Sequence, residues 1–564
     1  MKKIFTILIA ILFISIQTFS QATWAWAKSF GGSNVDYGQS ISTDANGNSY
    51  VTGYFQSTSI TFGNTTLTNT NGFTTYMYIA KFDVSGNVLW AKEAGGQEYT
   101  RGNGIKTDAN GNSYVTGFFE SPSITFGSFT LTNNGGNSTG DMFVVKYDAS
   151  GNVVWAISAG GTDDDGGSAI SLDALGNVYV TGYFRSPTIT IGSTTLTNVG
   201  STFVDDFFII KYDTNGNFVW AKSAGGTDED DGNSIFTEAN GNSYVTGSFR
   251  SPTITFGSTT LTNAASQYED IFVVKYDSSG NVVWAKRAGG NSYDAGMGIS
   301  GDGNGNCFVT GYFQSPTITF GSTTLSNVDN SGNTRDVFVV KYDASGNPVW
   351  ANSAGGNNDD YGFGITTDAN GNSFVIGNFS SSSFHLGNYT FVKNDTISYA
   401  SDIFIAKLNS SGNILWAGSY GGNDYDGGSS VCTDASGNIF ITGSYASTSI
   451  SFGTNTITNF GGSSNEDILV AKLNPVTGII EIENNLSAIS IYPNPASTLL
   501  NIHQSTPSPN QQLIITDLLG IEVYKEMLTG IDNTISISTW SAGLYFYEVR
   551  STNESARGKF VIQK

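Results

Sequence analysis

The sequence predicts an all-β protein in which seven antiparallel units of four strands close into a ring, followed by a segment outside the repeat. Three observations predict it. The stretch Asp141 to Gly167, DMFVVKYDASGNVVWAISAGGTDDDGG, is rebuilt seven times with hardly a change of length, which marks a structural module. Within it Phe143, Val145 and Tyr147 alternate with Val144 and Lys146, the period of two that β-branched and aromatic residues show in strands. The breaks between strands are Asp-x-x-Gly turns, whose Asp accepts backbone N–H groups and whose Gly takes positive φ at low cost.

In chain order, Met1 to Ser20 has two lysines, the apolar run Ile4 to Ile16 and a small-residue exit before Gln21, the pattern of a removed secretory signal peptide over 1–20. The run is too short to span a bilayer comfortably, since a helix needs about 20 apolar residues. No later segment reads as transmembrane. A tryptophan marker then falls at Trp26, Trp90, Trp155, Trp220, Trp284, Trp350 and Trp416, 64 to 66 residues apart. Each unit carries a hairpin turn such as Asp148 to Gly151, repeated at Asp83, Asp213, Asp277, Asp343 and, with Asn for Asp, Asn409. A further turn such as Asp44 to Gly47 joins a short strand to Tyr50-Val-Thr-Gly53, which brings the unit to four strands. A Ser-Pro-Thr-Ile-Thr-Phe-Gly segment (Ser251 to Gly257) predicts a small added ribbon, and a Thr/Asn-rich tip follows it.

Nearly apolar strands need cover on both faces, and stacked neighbouring units supply it. Four-stranded units repeated without helices are the mark of a β-propeller. The last unit departs from the pattern: after Lys472 it reads LNPVTGIIEIE, with no Trp. The surplus strand Trp24 to Phe30 is therefore expected to close the ring as the outer strand of the seventh unit, with Gly478 to Glu483 leaving as a linker.

The seven copies resemble the SBBP repeats of bacterial seven-bladed propellers, in their D-x-x-G-N-x-Y-V-T-G and F-V-V-K-Y-D-x-x-G-N-x-x-W cores. From about Leu486 the periodicity stops. The remainder contains Ile491-Tyr-Pro-Asn-Pro495, Asp517-Leu-Leu-Gly520, Ser541-Ala-Gly-Leu-Tyr545 and the terminal Gly558-Lys-Phe-Val-Ile-Gln-Lys564. Those four motifs, in that order, resemble the C-terminal sorting domain of the type IX secretion system. This resemblance implies a small immunoglobulin-like β-sandwich that routes the chain across the outer membrane, meeting the secretion machinery and a sorting protease. The expected organisation is a signal peptide over 1–20, a seven-bladed β-propeller over 21–478, a linker over 479–485 and the sorting domain over 486–564.

Composition suits an exported, loop-rich β protein, with 69 Gly and 25 basic against 47 acidic side chains, net charge −22. Such a balance repels phosphates and argues against nucleic acid. Cys307 and Cys432 sit at different points of non-adjacent repeats and read as small strand residues rather than a disulfide. His385 and His503 are the only histidines, and no Ser/His/Asp or Cys/His set can be assembled.

Each hairpin begins with one Asp, and a second Asp follows 24 positions on, giving the pairs Asp141/Asp165, Asp206/Asp230, Asp270/Asp294, Asp336/Asp360 and Asp402/Asp426. Ring closure adds Asp467/Asp36. In the first unit both members are missing together, replaced by Tyr76 and Thr100. Paired carboxylates need a cation, a proton or several backbone donors. One reading puts Ca²⁺ in these loops; the other has each Asp cap its own loop and link neighbouring blades. The recurrent lysines, from Lys81 to Lys472, read as a buried-salt-bridge or strand-edge device.

All variation in spacing lies between the ribbon and the next hairpin, at tips that open on the same face as the carboxylate pairs. Variable tips on a fixed frame usually carry specificity, and Phe73, Phe203, Tyr268 and Tyr399 are candidate ligand contacts. The expected function is a non-enzymatic surface binding or adhesion module for glycan or protein. Two alternatives are a secreted polysaccharide hydrolase or lyase using an Asp pair, and a purely structural scaffold. No cofactor is required on this reading beyond the candidate Ca²⁺.

Overall fold

The structure is a computed structural model, and it describes residues 23–200, 203–329, 332–393, 400–462, 465–474, 489–492, 496–504, 511–517, 521–550 and 555–563. The expected signal peptide and linker lie outside these residues, as does Tyr399. Two compact units divide the chain, one of them Ala22–Pro475 and the other including Val476–Lys564. Every regular element in the described residues is a strand.

In the larger unit seven sheets share one plan. The first runs from the innermost strand Asp36–Thr43 through Ser49–Phe55 and Tyr76–Phe82 to the outermost strand Val88–Ala94, all antiparallel. Innermost strands of successive sheets touch, and the seventh, Asp426–Thr433, touches the first. The seventh sheet borrows its outer strand from the start of the chain: Trp24–Phe30 pairs with Asp467–Leu473, with Lys28 opposite Val470 and Phe30 opposite Ile468. The Asn474 N–H donates to the Thr23 carbonyl at 3.0 Å, extending that clasp. The third strand of each sheet is buried almost throughout, as in Asp206–Tyr212, because sheets cover both of its faces.

The turns form as their residues dictate. In Asp83 to Asn87 one carboxylate oxygen accepts the Ser85 and Asn87 N–H groups, and the other accepts the Asn87 amide. The expected ribbon is present in every unit, for example Thr253–Phe256 paired with Thr259–Thr262. Its buried Ile254, Phe256 and Leu261 face inward, and it packs against the outer strands of its own blade and the preceding one. That contact covers edges that would otherwise template aggregation. One ribbon, Ser383–Leu386 with Tyr389–Val392, also adds to the sheet of the preceding blade through Ala354 and Gly355.

The smaller unit has a three-stranded sheet (Ile489–Tyr492, Leu499–Gln504, Asp532–Ser536) and a four-stranded one (Gln512–Thr516, Glu522–Met527, Gly543–Arg550, Ser555–Ile562). They share one core around Leu500, Ile502, Leu513, Ile515 and Phe560.

Candidate functional site

The two faces of the ring are built differently. On the face of the Asp-x-x-Gly turns, five blades grip the next in one way, whereas the Trp416 indole N–H of the sixth is buried without an acceptor among the described residues. The Trp155 indole N–H and the Lys146 ammonium both donate to the Thr214 carbonyl in the next blade's turn, at 3.3 and 3.2 Å. The same grip joins Trp90 and Lys81 to Ala149, Trp220 and Lys211 to Ser278, and Trp350 and Lys341 to Ser410. At the closure Trp26 and Lys472 share the Val84 carbonyl. Gly216 in the gripped turn has φ +82°, and a Cβ there would stand 3.0 Å from the Trp155 ring, so only Gly lets the turn lie under the indole. The expected salt bridge is the weaker part of the lysine's role. Lys81 and Lys211 stand 3.9 and 4.0 Å from Asp44 and Asp173, whereas Lys146 lies over the Tyr114 ring and Lys275 over Tyr244.

The carboxylate pairs sit where one blade meets the next on the opposite face. In every blade the backbone N–H at the second position donates across to the preceding blade, as Asp165 does to the Gly140 carbonyl at 2.7 Å and Thr100 to the Thr75 carbonyl at 2.9 Å. In each of the six pairs burial raises the second aspartate's pKa, and the first aspartate's charge adds to the rise. The second aspartate caps its loop: Asp165 accepts from the Gly161, Arg185 and Ser186 N–H groups and from the Ser186 hydroxyl, the last at 2.7 Å. Asp294 does the same with Gly290, Gln314 and Ser315. The first aspartate accepts from the loop before its strand, Asp141 from the Asn134 N–H and Asp336 from the Val328 N–H.

The Gly-Gly motif between them follows from this packing. A Cβ on Gly160 would lie 2.1 Å from an Asp141 oxygen, and one on Gly161 2.6 Å from the Ser186 hydroxyl. Where both aspartates are missing, the Tyr76 ring fills the space beside Gly95 and its hydroxyl meets the Thr70 hydroxyl at 2.9 Å. The joint replacement is therefore a coupled change of filling.

Burial raises the pKa of Asp36, Asp165, Asp230 and Asp294 to about 7 and of Asp426 to about 8, against the hydrogen bonds that lower it. None of the twelve aspartates is more than 6% exposed, so a glycosidic bond does not reach them. Ca²⁺ takes roughly six to eight oxygens, and both oxygens of the second aspartates already hold four donors in Asp165 and Asp294. Among the described residues no group of three or more His, Cys, Asp or Glu is arranged to hold a metal ion. In Asp165 and Asp294 the donor set is that of a loop cap, whereas Oδ1 of Asp141, Asp206, Asp336 and Asp467 is buried without a hydrogen-bond donor among the described residues.

Of the aromatic tip residues, Phe73 is 82% and Phe203 72% exposed. Tyr268 instead packs edge-on against Tyr293, ring centres 5.0 Å apart.

A region the spacing did not reveal lies at the mouth of the central channel, between the pairs and the axis. The channel encloses about 690 Å³ and is lined by all seven innermost strands. The residue after each inner aspartate or its substitute is Tyr37, Arg101, Gly166, Asp231, Ala295, Tyr361 and Gly427 in turn. Tyr37 stacks on Tyr54 at 5.5 Å, with ring planes 5° apart, and the Arg101 guanidinium lies 4.4 Å from the Tyr54 ring centre. Between the fifth and sixth blades Arg335 lies over Tyr312 and Tyr361 and donates to the Tyr361 hydroxyl at 2.7 Å. Arg185 bridges Asp164 and Asp205. The signal was available in the internal copies, because these positions change chemistry while the glycine after each of them does not.

Comparison with known proteins comes down to segments. Residues 25–54 and 89–117 match the β-propeller repeat family SBBP, and residues 490–563 match the secretion system C-terminal sorting domain family. An uncharacterized WD repeat-containing protein, L264 of Acanthamoeba polyphaga mimivirus, is 26% identical over 379 residues, 57% of this chain and 27% of that one. The regulatory protein FlaEY of Caulobacter vibrioides is 28% identical over 108 residues, 19% of this chain and 11% of that one. The matched region thus spans under a third of either relative. The plexin A4 extracellular region is similar at TM-score 0.37 and 8% identity, over 96% of this chain and 62% of that one. PorZ, a surface component of the type IX secretion system of Porphyromonas gingivalis, is similar at TM-score 0.15 and 10% identity, over 95% of this chain and 100% of that one. No helix among the described residues is long and apolar enough to cross a membrane. This chain carries SBBP-type β-propeller repeats and a type IX secretion C-terminal sorting domain, which marks it for export to the cell surface or the extracellular space.

Proposed function

We propose that the exported propeller is a binding module that holds surface glycan at the channel mouth and the loops around it, without turning it over. One observation carries the reading: a frame repeated seven times varies in side-chain chemistry at the mouth, where Tyr37, Tyr54 and Arg101 gather in the lining, and a second cluster of Tyr312, Arg335 and Tyr361 lies between two later blades. Aromatic faces beside planar cations suit sugar rings and their substituents. Burial of the aspartate pairs supports binding over hydrolysis or elimination, since the acids sit behind the loops they cap.

A glycan array probed with the purified chain, beside a product assay on the same polysaccharides, tests this. Binding without products is the expected outcome, and turnover would sink it. Binding to a surface protein with no glycan retained would replace the ligand class. Calcium in the aspartate loops is tested separately by melting with and without a chelator; capping predicts an unchanged midpoint.

A further inference from the structure

We propose that the channel takes a carboxylated sugar, with Arg101 pairing the carboxylate at the mouth and Lys106 supplying a second cation deeper in the lumen. This rests on the glycan reading above and narrows its substrate class.

Arg101 stands apart from the four other arginines of the ring. Arg185 holds Asp205 at 3.0 Å, Arg250 holds Glu229 at 3.0 Å, Arg335 holds Asp359 at 3.6 Å, and Arg287 holds Asp270. Arg101 has no carboxylate within ion-pair distance among the described residues; its Nε is buried without an acceptor, a feature it shares with Arg250 and Arg335, so the missing ion pair is what sets it apart. The Glu120 carboxylate is near enough for the Arg101 charge to act on it, yet the two do not close to an ion pair. In a chain with 47 acidic side chains against 25 basic ones, an arginine kept free of them is a group waiting for an outside anion.

Its surroundings hold it ready. The guanidinium is stacked on Tyr54, itself stacked on Tyr37, and Tyr99 and Phe118 lie 5.9 and 6.0 Å away. Stacking fixes the plane of the cation, so its fork is pre-organised for the two oxygens of a carboxylate. Lys106 lies on the same innermost strand, Thr100–Thr107, about 16 Å further along at the usual rise. It reaches the lumen, makes no ion pair among the described residues, and enclosure by the walls lowers its pKa.

Asp231 holds the position in its own blade that Arg101 holds in the second, and it is not part of the channel lining. Burial, with Asp205 and Glu269 nearby, raises its pKa well above the usual range, which reduces its repulsion of an incoming anion. The remaining lining includes Gln39, Asn103 and Asn233, amides that suit sugar hydroxyls. A volume of about 690 Å³ lies within the span of small-ligand sites.

The test is calorimetric titration of the full exported chain with galacturonate and glucuronate oligomers, beside neutral oligomers of equal length. Uronates should bind and neutral sugars should not. Arg101→Gln should weaken uronate binding by about tenfold or more, as loss of a charge-assisted pair implies. Arg101→Lys should recover only part of it, and Arg250→Gln should change nothing. Lys106→Gln, read on the same ligands, keeps the proposal falsifiable if the Arg101 variants melt early. Equal affinity for neutral and acidic oligomers, full affinity in Arg101→Gln, or tighter binding of a peptide through its C-terminal carboxylate would each overturn it. Neutral glycan bound with uronate rejected would leave the binding module standing and remove this inference; no glycan bound at all would remove both.

Discussion

The two faces of the ring use one frame for opposite ends. On the turn face the Trp indole and Lys ammonium share one carbonyl of the next blade, from Trp90 and Lys81 on Ala149 to Trp26 and Lys472 on Val84. On the mouth face the equivalent positions run from Tyr37 to Arg101 to Asp231. Repetition persists where a neighbouring blade must fit the residue. It lapses at the position after the inner aspartate, where Arg101 rests on Tyr54 of the preceding blade and Arg335 on Tyr361 of the next, contacts that differ from one junction to another.

Substitutions can break or sharpen this contrast, and the largest effect belongs to the clasp. Deleting Trp24–Phe30 strips the seventh sheet of its outer strand and leaves the Asp467–Leu473 edge open. The expected result is loss of a single cooperative unfolding transition by calorimetry; a retained sharp transition would show that the ring stands without its clasp. Next is the grip itself. Trp220→Ala removes an indole packed against Gly280 and bonded to the Ser278 carbonyl, with an expected cost of about 3–5 kcal/mol in denaturant unfolding.

A smaller effect comes from pH and reads the aspartate pairs. Burial lifts the pKa of folded Asp36, Asp165, Asp230 and Asp294 to about 7 and that of Asp426 to about 8, against an ordinary value of 3.8 for an aspartate. A raised folded pKa contributes stability that is full below the unfolded value and is lost as pH rises through the folded one. Melting temperature should therefore be higher at pH 5 than at pH 8.5. The reverse order would mean that the Ser and backbone donors outweigh burial. The smallest effect belongs to the exposed tip: Phe203→Ala should shift stability by no more than about 0.5 kcal/mol, so any change in glycan retention would report contact rather than folding.

Much of the frame was readable before any coordinates. Seven copies of one hairpin make strand, turn and ribbon redundant, and the missing Trp after Lys472 left a place that only Trp24–Phe30 could fill. The constant 24-residue offset also placed the aspartates side by side. Their burial was less legible, because the Ser186 and Gly161 donors to Asp165 come from loops on either side of it. The lysine's partner was hidden too: Lys146 and Thr214 are 68 residues apart, a contact between blades that no local pattern records. The mouth is invisible in loop length, because Tyr37, Arg101 and Asp231 vary in identity at constant spacing.

The clasp also decides how the ring bears a load. Chain leaving it after Asn474 is continuous with Asp467–Leu473, which is hydrogen-bonded to Trp24–Phe30 on one edge and to Ile439–Tyr445 on the other. A pull transmitted through that exit falls on a strand held from both sides, so tearing it free must rupture two ladders at once, whereas an outermost strand would peel from one.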